Sequence, residues 1–342
     1  MIRIAVLGAG RWGPNLIRNF HEADQAQVVV VADPRGPRLD QLRERFPDVE
    51  VVAEAQAAIA RPDVDAVVVA TPTVTHGDLA RQALEAGKHV LVEKPITTDG
   101  DQGEALCRMA EATGRILMVG HVFLYNPAVR AIKERLDAGD CGRLYHLSAV
   151  RSNLGPIRMD VNAAWDLAAH DISIFDYWLG RGALTASAVG GAWINPGIED
   201  AVFLTLRYPD DVLVNVHASW LHPRKSREVT VVGDRRMLTF DDMNLSAPVC
   251  IYDKGVTEDR TMAEWVDDFT SFRASIREGT VTQPEIPPGE PLRAECLAFL
   301  EAIRTGKAPD ADGRTGVQVV RTLEAIDRSL RAHGREEQVN PA

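Results

Sequence analysis

Gly8, Gly10 and Gly13 constrain this chain more than any other residues. They form G-x-G-x-x-G directly after Ile2, Ile4, Ala5, Val6 and Leu7, which read as a short buried parallel strand with no turn residue inside it. The first glycine permits a tight turn out of the strand. The second lets a pyrophosphate approach the backbone, and the third lets the next helix pack close to the sheet. That helix, predicted over about 13–22, points unpaired N–H groups and the positive end of its dipole at the phosphates. A second strand, 28–32, ends at Asp33, 20 residues after Gly13, where a carboxylate can accept hydrogen bonds from an adenosine ribose 2′-OH. A strand before, a helix after and an acid ending the next strand point to a dinucleotide-binding unit. The alternative is a glycine-rich turn in another α/β protein. Asp33 repels a 2′-phosphate and so favours NAD, while Arg35 can stack on adenine or contact a phosphate, which leaves NADP open. Arg11 and Trp12, inside the glycine turn, join the cofactor-binding candidates.

Strand and helix keep alternating, with helices predicted over 37–46, 55–60, 76–86 and 100–113 and strands over 49–52, 64–70, 89–92 and 116–119. This is consistent with a six-stranded doubly wound sheet. The strand 64–70 stops at Thr71-Pro72-Thr73, where an open parallel sheet places ligands, at the carboxyl ends of its strands. Thr71 and Thr73 read equally as cofactor contacts or as a helix-capping turn. His76 opens the next helix and reads as a cleft residue or as a surface or capping histidine. Glu93-Lys94-Pro95 ends the following strand. Lys94 there is positioned for a nicotinamide crevice, or is half of an exposed charge pair with Glu93.

After Gly120 the pattern changes. Residues 121–127 leave the sheet, a helix is predicted over 128–138 and a strand over 144–151. Residues 152–164, rich in Gly, Pro, Asn and Asp, read as a functional or mobile loop. A helix over 165–180 then carries Leu167, Ile174, Phe175 and Trp178 on one face and Asp166, His170, Ser173 and Tyr177 on an adjacent polar stripe. Four-residue spacing puts the Asp166 carboxylate within reach of the His170 ring, an arrangement that suits proton exchange with a hydroxyl. On spacing alone, a helix cap plus a half-buried histidine reads as well. Strands are predicted over 183–189, 200–208, 212–219, 227–233 and 235–240. Residues 284–291 read as a rigid linker, and helices follow over 292–304 and 317–333.

At 342 residues the chain has room for about two domains. Its net charge of −11 argues against non-specific nucleic-acid binding and against attachment to an acidic membrane surface. Cys107, Cys141, Cys250 and Cys296 are scattered and fit reduced cytosolic thiols. The nine histidines have no metal-ligand spacing. No apolar run approaches the ~20 residues of a membrane span, and a strand beginning at Ile2 leaves no room for a signal peptide. The expectation is a cytoplasmic protein without a metal.

Three segments, G-A-G-R-W-G at 8–13, A-T-P-T at 70–73 and E-K-P at 93–95, resemble the glucose–fructose oxidoreductase, inositol dehydrogenase and rhizopine-catabolism family. D-x-x-x-H at 166–170, some 70 residues beyond E-K-P, resembles its second signature. The resemblance implies an N-terminal Rossmann domain, 1–120, and an α+β domain on a large mostly antiparallel sheet, 121–312, with a last helix, about 313–335, packed back on the first domain. It implies an NAD(P)-dependent oxidoreductase in which Lys94, Asp166 and His170 are catalytic, Glu93 and Lys94 contact cofactor, and Lys94 also contacts substrate. Tyr125, Asn126, Asn153, Arg158 and Asn162 are candidate substrate contacts beside Asp166 and His170. Association through the sheet into a homodimer or homotetramer is expected. The run from Asn153 to Asp171 is similar to a branch met in bacterial sugar and polysaccharide biosynthesis, which suggests a UDP-N-acetylhexosamine-like sugar oxidised at C3. Ala169 departs from the proline expected before the histidine. An inositol or free-sugar dehydrogenase, an NAD-dependent redox-assisted elimination or glycosidase enzyme, and a non-catalytic NAD(P) sensor are the alternatives.

Overall fold

The computed structural model describes residues 1–258 and 274–340. The N-terminal part winds as β1 (Ile2–Leu7), α1 (Gly13–His21), β2 (Ala26–Ala32), α2 (Gly36–Arg45), β3 (Glu50–Val52), α3 (Ala55–Ile59), β4 (Ala66–Val69), α4 (His76–Glu85), β5 (His89–Glu93), α5 (Gly100–Thr113) and β6 (Leu117–Gly120). The six strands pair in the order β3-β2-β1-β4-β5-β6, all parallel. The order reverses between β1 and β4, so the carboxyl ends of those two strands border a crevice. Buried valines, isoleucines and leucines fill β1, β4 and β5, as a sheet covered by helices on both faces demands.

The second part contains α6 (Pro127–Asp137), β7 (Leu144–Leu154), α7 (Ala169–Leu179), β8 (Thr185–Gly191), β9 (Ala201–Tyr208), β10 (Val212–Ser219), β11 (Leu221–Gly233), β12 (Met237–Asp241), β13 (Val249–Tyr252), β14 (Gly255–Glu258), β15 (Ala274–Arg277), β16 (Val281–Thr282), α8 (Pro291–Thr305), α9 (Gly313–Arg331) and β17 (Glu337–Gln338). Nine of these strands form one sheet, β16-β13-β12-β11-β7-β10-β9-β8-β17, antiparallel except where β7 meets β10. Leu147, Ala149, Leu204, Leu206, Val214, Val216, Val229 and Val231 alternate onto its buried face, against Ile172, Phe175 and Trp178 of the α7 region. Val150, Val189, Phe203 and Leu213 stand on the other face, exposed. The sheet is larger than the alternation predicts, because strands as short as β16 and β17 carry too few residues to show a period of two. Helix α9 packs on β8 as well as on α5 and β6, so it ties the two sheets together.

A buried acid in this second part makes a testable stability device. Tyr208 donates its hydroxyl proton to Asp176 Oδ1 at 2.7 Å, and burial pushes the Asp176 carboxyl up to about 7. The folded state therefore holds this proton more tightly than the unfolded chain. No cost arises below pH ~4, the cost grows between ~4 and ~7, and it is constant above. Asp176→Asn keeps an acceptor for Tyr208. It is expected to be more stable than the parent above pH 7, by up to about 4 kcal/mol, with the gain vanishing near pH 4. Urea unfolding at pH 4, 6 and 8 measures this, and an equal offset at all three would contradict it.

Candidate active site

The glycine turn at the head of β1 admits no side chain. Gly8 sits at φ +95°, and a Cβ there would lie 2.6 Å from Ala70 O; one on Gly13 would lie 2.1 Å from Gly8 O. Helix α1 starts with Trp12 as its cap residue and no side-chain hydrogen bond on its free N–H groups, so that end is left for an anion. Arg11 and Trp12 are exposed beside it. Asp33, 1% exposed, accepts from Ala9 N at 2.7 Å, from Arg35 N at 2.9 Å and from Arg35 Nε and Nη2 at 2.8 and 2.7 Å. Burial alone would raise this carboxyl. The Arg35 guanidinium and the two backbone donors outweigh it and hold the group down at about 2. Arg35 thus closes over the carboxylate expected to meet a ribose, and must swing aside to free it. This cradle and its acid fit a dinucleotide. Replacing the acid tests the preference: Asp33→Ser is expected to improve NADP binding relative to NAD by about tenfold or more, ~1.4 kcal/mol, in paired fluorescence titrations.

At the carboxyl end of β4, Thr73 is buried and Thr75 Oγ1 lies 2.7 Å from Thr71 Oγ1. His76 is buried, with its two ring nitrogens 2.8 Å from Pro95 O and 2.9 Å from Thr71 O. At the end of β5, Lys94 reaches out of the first domain. Its Nζ donates to Asp166 O at 2.7 Å and lies 3.8 Å from Asp166 Oδ1, with the side chain 13% exposed. Burial lowers the ammonium pKa against the opposing pull of Asp166.

The partner segment differs from the regular helix predicted over 165–180. Ala164–Ala168 winds as a π turn, and only Ala169–Leu179 is α-helical. The wider turn bonds i to i+5. Among the described residues no hydrogen bond joins the imidazole to the Asp166 carboxylate. Its Oδ1 accepts from Arg158 Nη1 and its Oδ2 from the indole Nε1 of Trp220, each at 3.1 Å. His170 packs against the Phe123 ring, 5.1 Å between centroids, and its Nδ1 is buried without a partner among the described residues. Burial, then the nearby Lys94 and Arg151 cations, hold this imidazole well below its ordinary range, so it is neutral at neutral pH.

Several residues here have no local signal in the sequence. Arg151 on β7 forks onto Asp171 with contacts of 2.8–3.1 Å, and its guanidinium lies 4.4 Å over the ring of Phe123, which supports His170. Trp220 steers Asp166 from 54 residues away. His121 did carry a readable signal: it follows β6 as Lys94 follows β5. The two strands pair Glu93 with Gly120, so Lys94 and His121 come out side by side. Burial, with Lys94 adjacent, pushes His121 down to about 3. Glu93 and Glu295 of α8 are both raised by burial, Glu295 also by the Glu93 charge.

The candidate substrate contacts fall into two groups. Arg158 sits at the site through Asp166, and Asn153 lies at the outer end of β7, half-buried. Asn126 caps α6 through Ala128 N, and Asn162 Nδ2 is shared between Glu199 and Asp327 at 3.1 Å each. Tyr125 is buried in the first domain's core with Leu124 and Phe299. These last three are engaged in holding the chain together. Among the described residues no cluster of His, Cys, Asp or Glu could hold a metal, and no helix is long and apolar enough to cross a membrane.

A Rossmann sheet whose E-K-P lysine meets an acid–histidine segment of a second, mostly antiparallel domain defines a class of two-domain nicotinamide-dependent oxidoreductases. Residues 2–121 match the NAD-binding Rossmann-fold model of the Gfo/Idh/MocA oxidoreductase family, and residues 129–239 match that family's C-terminal domain. The chain is 32% identical to scyllo-inositol 2-dehydrogenase (NAD(+)) of Bacillus subtilis over 58% of its own length and 60% of that relative. It is 26% identical to UDP-N-acetylglucosamine 3-dehydrogenase of Acidithiobacillus ferrooxidans over 93% of its length and 94% of that relative. The solved structure of the latter superposes with a TM-score of 0.82 at 24% identity, covering 97% of this chain and 98% of that one. The WlbA dehydrogenase of Bordetella pertussis, solved with NADH and UDP-GlcNAcA, has the same fold, with a TM-score of 0.79 at 21% identity over 100% of this chain and 99% of that one. The protein belongs to the Gfo/Idh/MocA oxidoreductase family, and its first domain is that family's NAD-binding Rossmann fold.

Proposed function

We propose that the protein oxidises a secondary hydroxyl of a nucleotide-activated sugar, a UDP-N-acetylhexosamine or its uronate, at C3, or reduces the corresponding ketone. The observation that carries this reading is the meeting of Lys94 with the segment that holds His170, Nζ to Asp166 O 2.7 Å, across 72 residues of sequence. Bound NAD supplies the hydride acceptor at the nicotinamide ring. The chain's own residues handle the proton and the developing charge. A CH–OH group becomes C=O by losing a hydride from carbon and a proton from oxygen. Neutral His170 takes that proton, through Nε2, since Nδ1 is buried. The Lys94 ammonium stabilises charge that develops on the reacting oxygen, and its own charge helps to keep His170 uncharged and ready to accept. Asp166, fixed by Arg158 and Trp220, holds Lys94 through both its backbone and its carboxylate oxygens. Arg158, half-buried beside this pair, is a fitting contact for a sugar uronate or a diphosphate.

The nucleotide-sugar reading draws its support from a relative that aligns along nearly the whole chain. A cyclic polyol is the second reading, favoured by the higher identity to the scyllo-inositol enzyme over part of the chain and by a myo-inositol dehydrogenase that aligns along 92% of it. UDP-sugars, free sugars and inositols, each offered with NAD while reduced nicotinamide is followed by absorbance, separate the two. Product release without net NADH would instead indicate redox-assisted elimination. The exposed apolar residues on the open face of the nine-stranded sheet support association into a homodimer or homotetramer.

A further inference from the structure

We propose that His76 is a positioning residue for Lys94: its imidazole bridges the Thr71 and Pro95 carbonyl oxygens and so fixes the turn that aims the Lys94 side chain. This rests on the reading of Lys94 as a catalytic group.

Strands β4 and β5 pair in parallel as far as Val69 and Val92. Past that point no strand pairing joins the two chain segments. His76, the first residue of α4, sits in this gap with 1% exposure. One ring nitrogen lies 2.9 Å from Thr71 O, at the exit of β4. The other lies 2.8 Å from Pro95 O, one residue beyond Lys94 at the exit of β5. The ring therefore continues the inter-strand ladder where the backbone cannot. Both facing atoms are acceptors, so the ring serves as a donor on either side. A neutral imidazole, the form that burial favours here, donates to one carbonyl at a time, and exchange of its N–H between the two ring nitrogens serves each in turn. Burial, with the Lys94 and Arg158 cations near, lowers the ring's pKa, while the two carbonyls oppose that shift. No other side chain holds the Pro95 carbonyl among the described residues, so the ring is the side-chain contact that fixes the exit of β5 one residue beyond Lys94.

The test compares three variants. His76→Phe fills the ring's place without a donor. His76→Gln offers one amide nitrogen with two N–H bonds. Lys94→Met is the reference for losing the lysine. Three properties are measured in the full chain: NAD affinity, turnover with the sugar found by the substrate panel, and the rate at which acetic anhydride modifies Lys94 in the cofactor-free protein. His76→Phe is expected to raise the Lys94 modification rate at least about tenfold and to lower kcat at least about tenfold, with NAD affinity changed less than about threefold. His76→Gln is expected to recover most of both. If His76→Phe does not fold, His76→Ala takes its place. Wild-type Lys94 reactivity in a folded donor-less variant would overturn the inference. So would equal behaviour of the Gln and donor-less variants, or loss of folding in all of them, which would assign the ring to stability alone. If Lys94→Met itself keeps turnover, the reading of the site fails, independently of His76.

Discussion

His170→Ala is expected to lower kcat by about 10²–10⁴-fold while leaving NAD affinity nearly unchanged. The size follows from the role: without an acceptor in place, the hydroxyl proton must pass to water beside the Phe123 ring and the buried Arg151–Asp171 pair. Because the ring is held well below its ordinary range, the parent enzyme's acid limb should be displaced in the same direction. Turnover in the oxidation direction rises with pH as the imidazole loses its proton, and that rise is complete at a lower pH than for a free histidine. A pH profile of kcat with the limb at or above the ordinary imidazole value would remove His170 from the role of base. Stopped-flow measurement of NAD binding to the variant separates lost chemistry from lost cofactor.

Lys94→Met is expected to cost about 10²–10³-fold in kcat, the range seen when one charge-stabilising donor is removed from a transition state. Methionine keeps the length and the apolar stem but removes the cation. Two further effects follow. The His170 imidazole loses the cation that most opposes its protonation, so its pKa should rise toward the ordinary value and the acid limb should move up. The high-pH limb, which in the parent reports loss of the ammonium proton at a pH below that of an exposed lysine, should vanish. A variant with reduced turnover but an unmoved acid limb would mean that Lys94 and His170 do not sense each other. Arginine at this position would keep the charge but cannot reproduce a compact ammonium seated on the Asp166 carbonyl.

The nucleotide half was legible because its chemistry is local. Turn glycines, apolar strands and an acid ending β2 each act within a few residues of one another, and the structure gives the physical grounds: a Cβ at Gly8 or Gly13 would collide with backbone. Even there, spacing alone did not reveal that Arg35 lies across Asp33, since a two-residue separation fixes no side-chain direction. The second half was less legible. Helical spacing linked Asp166 to His170, but the Asp166 carboxylate is taken up by Arg158 and Trp220, partners that no local spacing reveals. Asn126 and Asn162, polar and in the right stretch, are spent on capping and on ties to Glu199 and Asp327.

The sequence by itself determined a parallel dinucleotide-binding sheet, its strand-end lysine and the region in which a histidine must follow, because glycine sterics, strand hydrophobicity and family-like motifs are properties of short segments. Only the tertiary structure decided how the site is assembled. The approach of Lys94 to Asp166, the capture of Asp166 by Trp220, the Arg151–Phe123 support under His170 and the bridge made by His76 all join residues that lie apart in the chain. Which distant atoms come within hydrogen-bonding reach is set by how two sheets pack around a shared core, and no local periodicity encodes that.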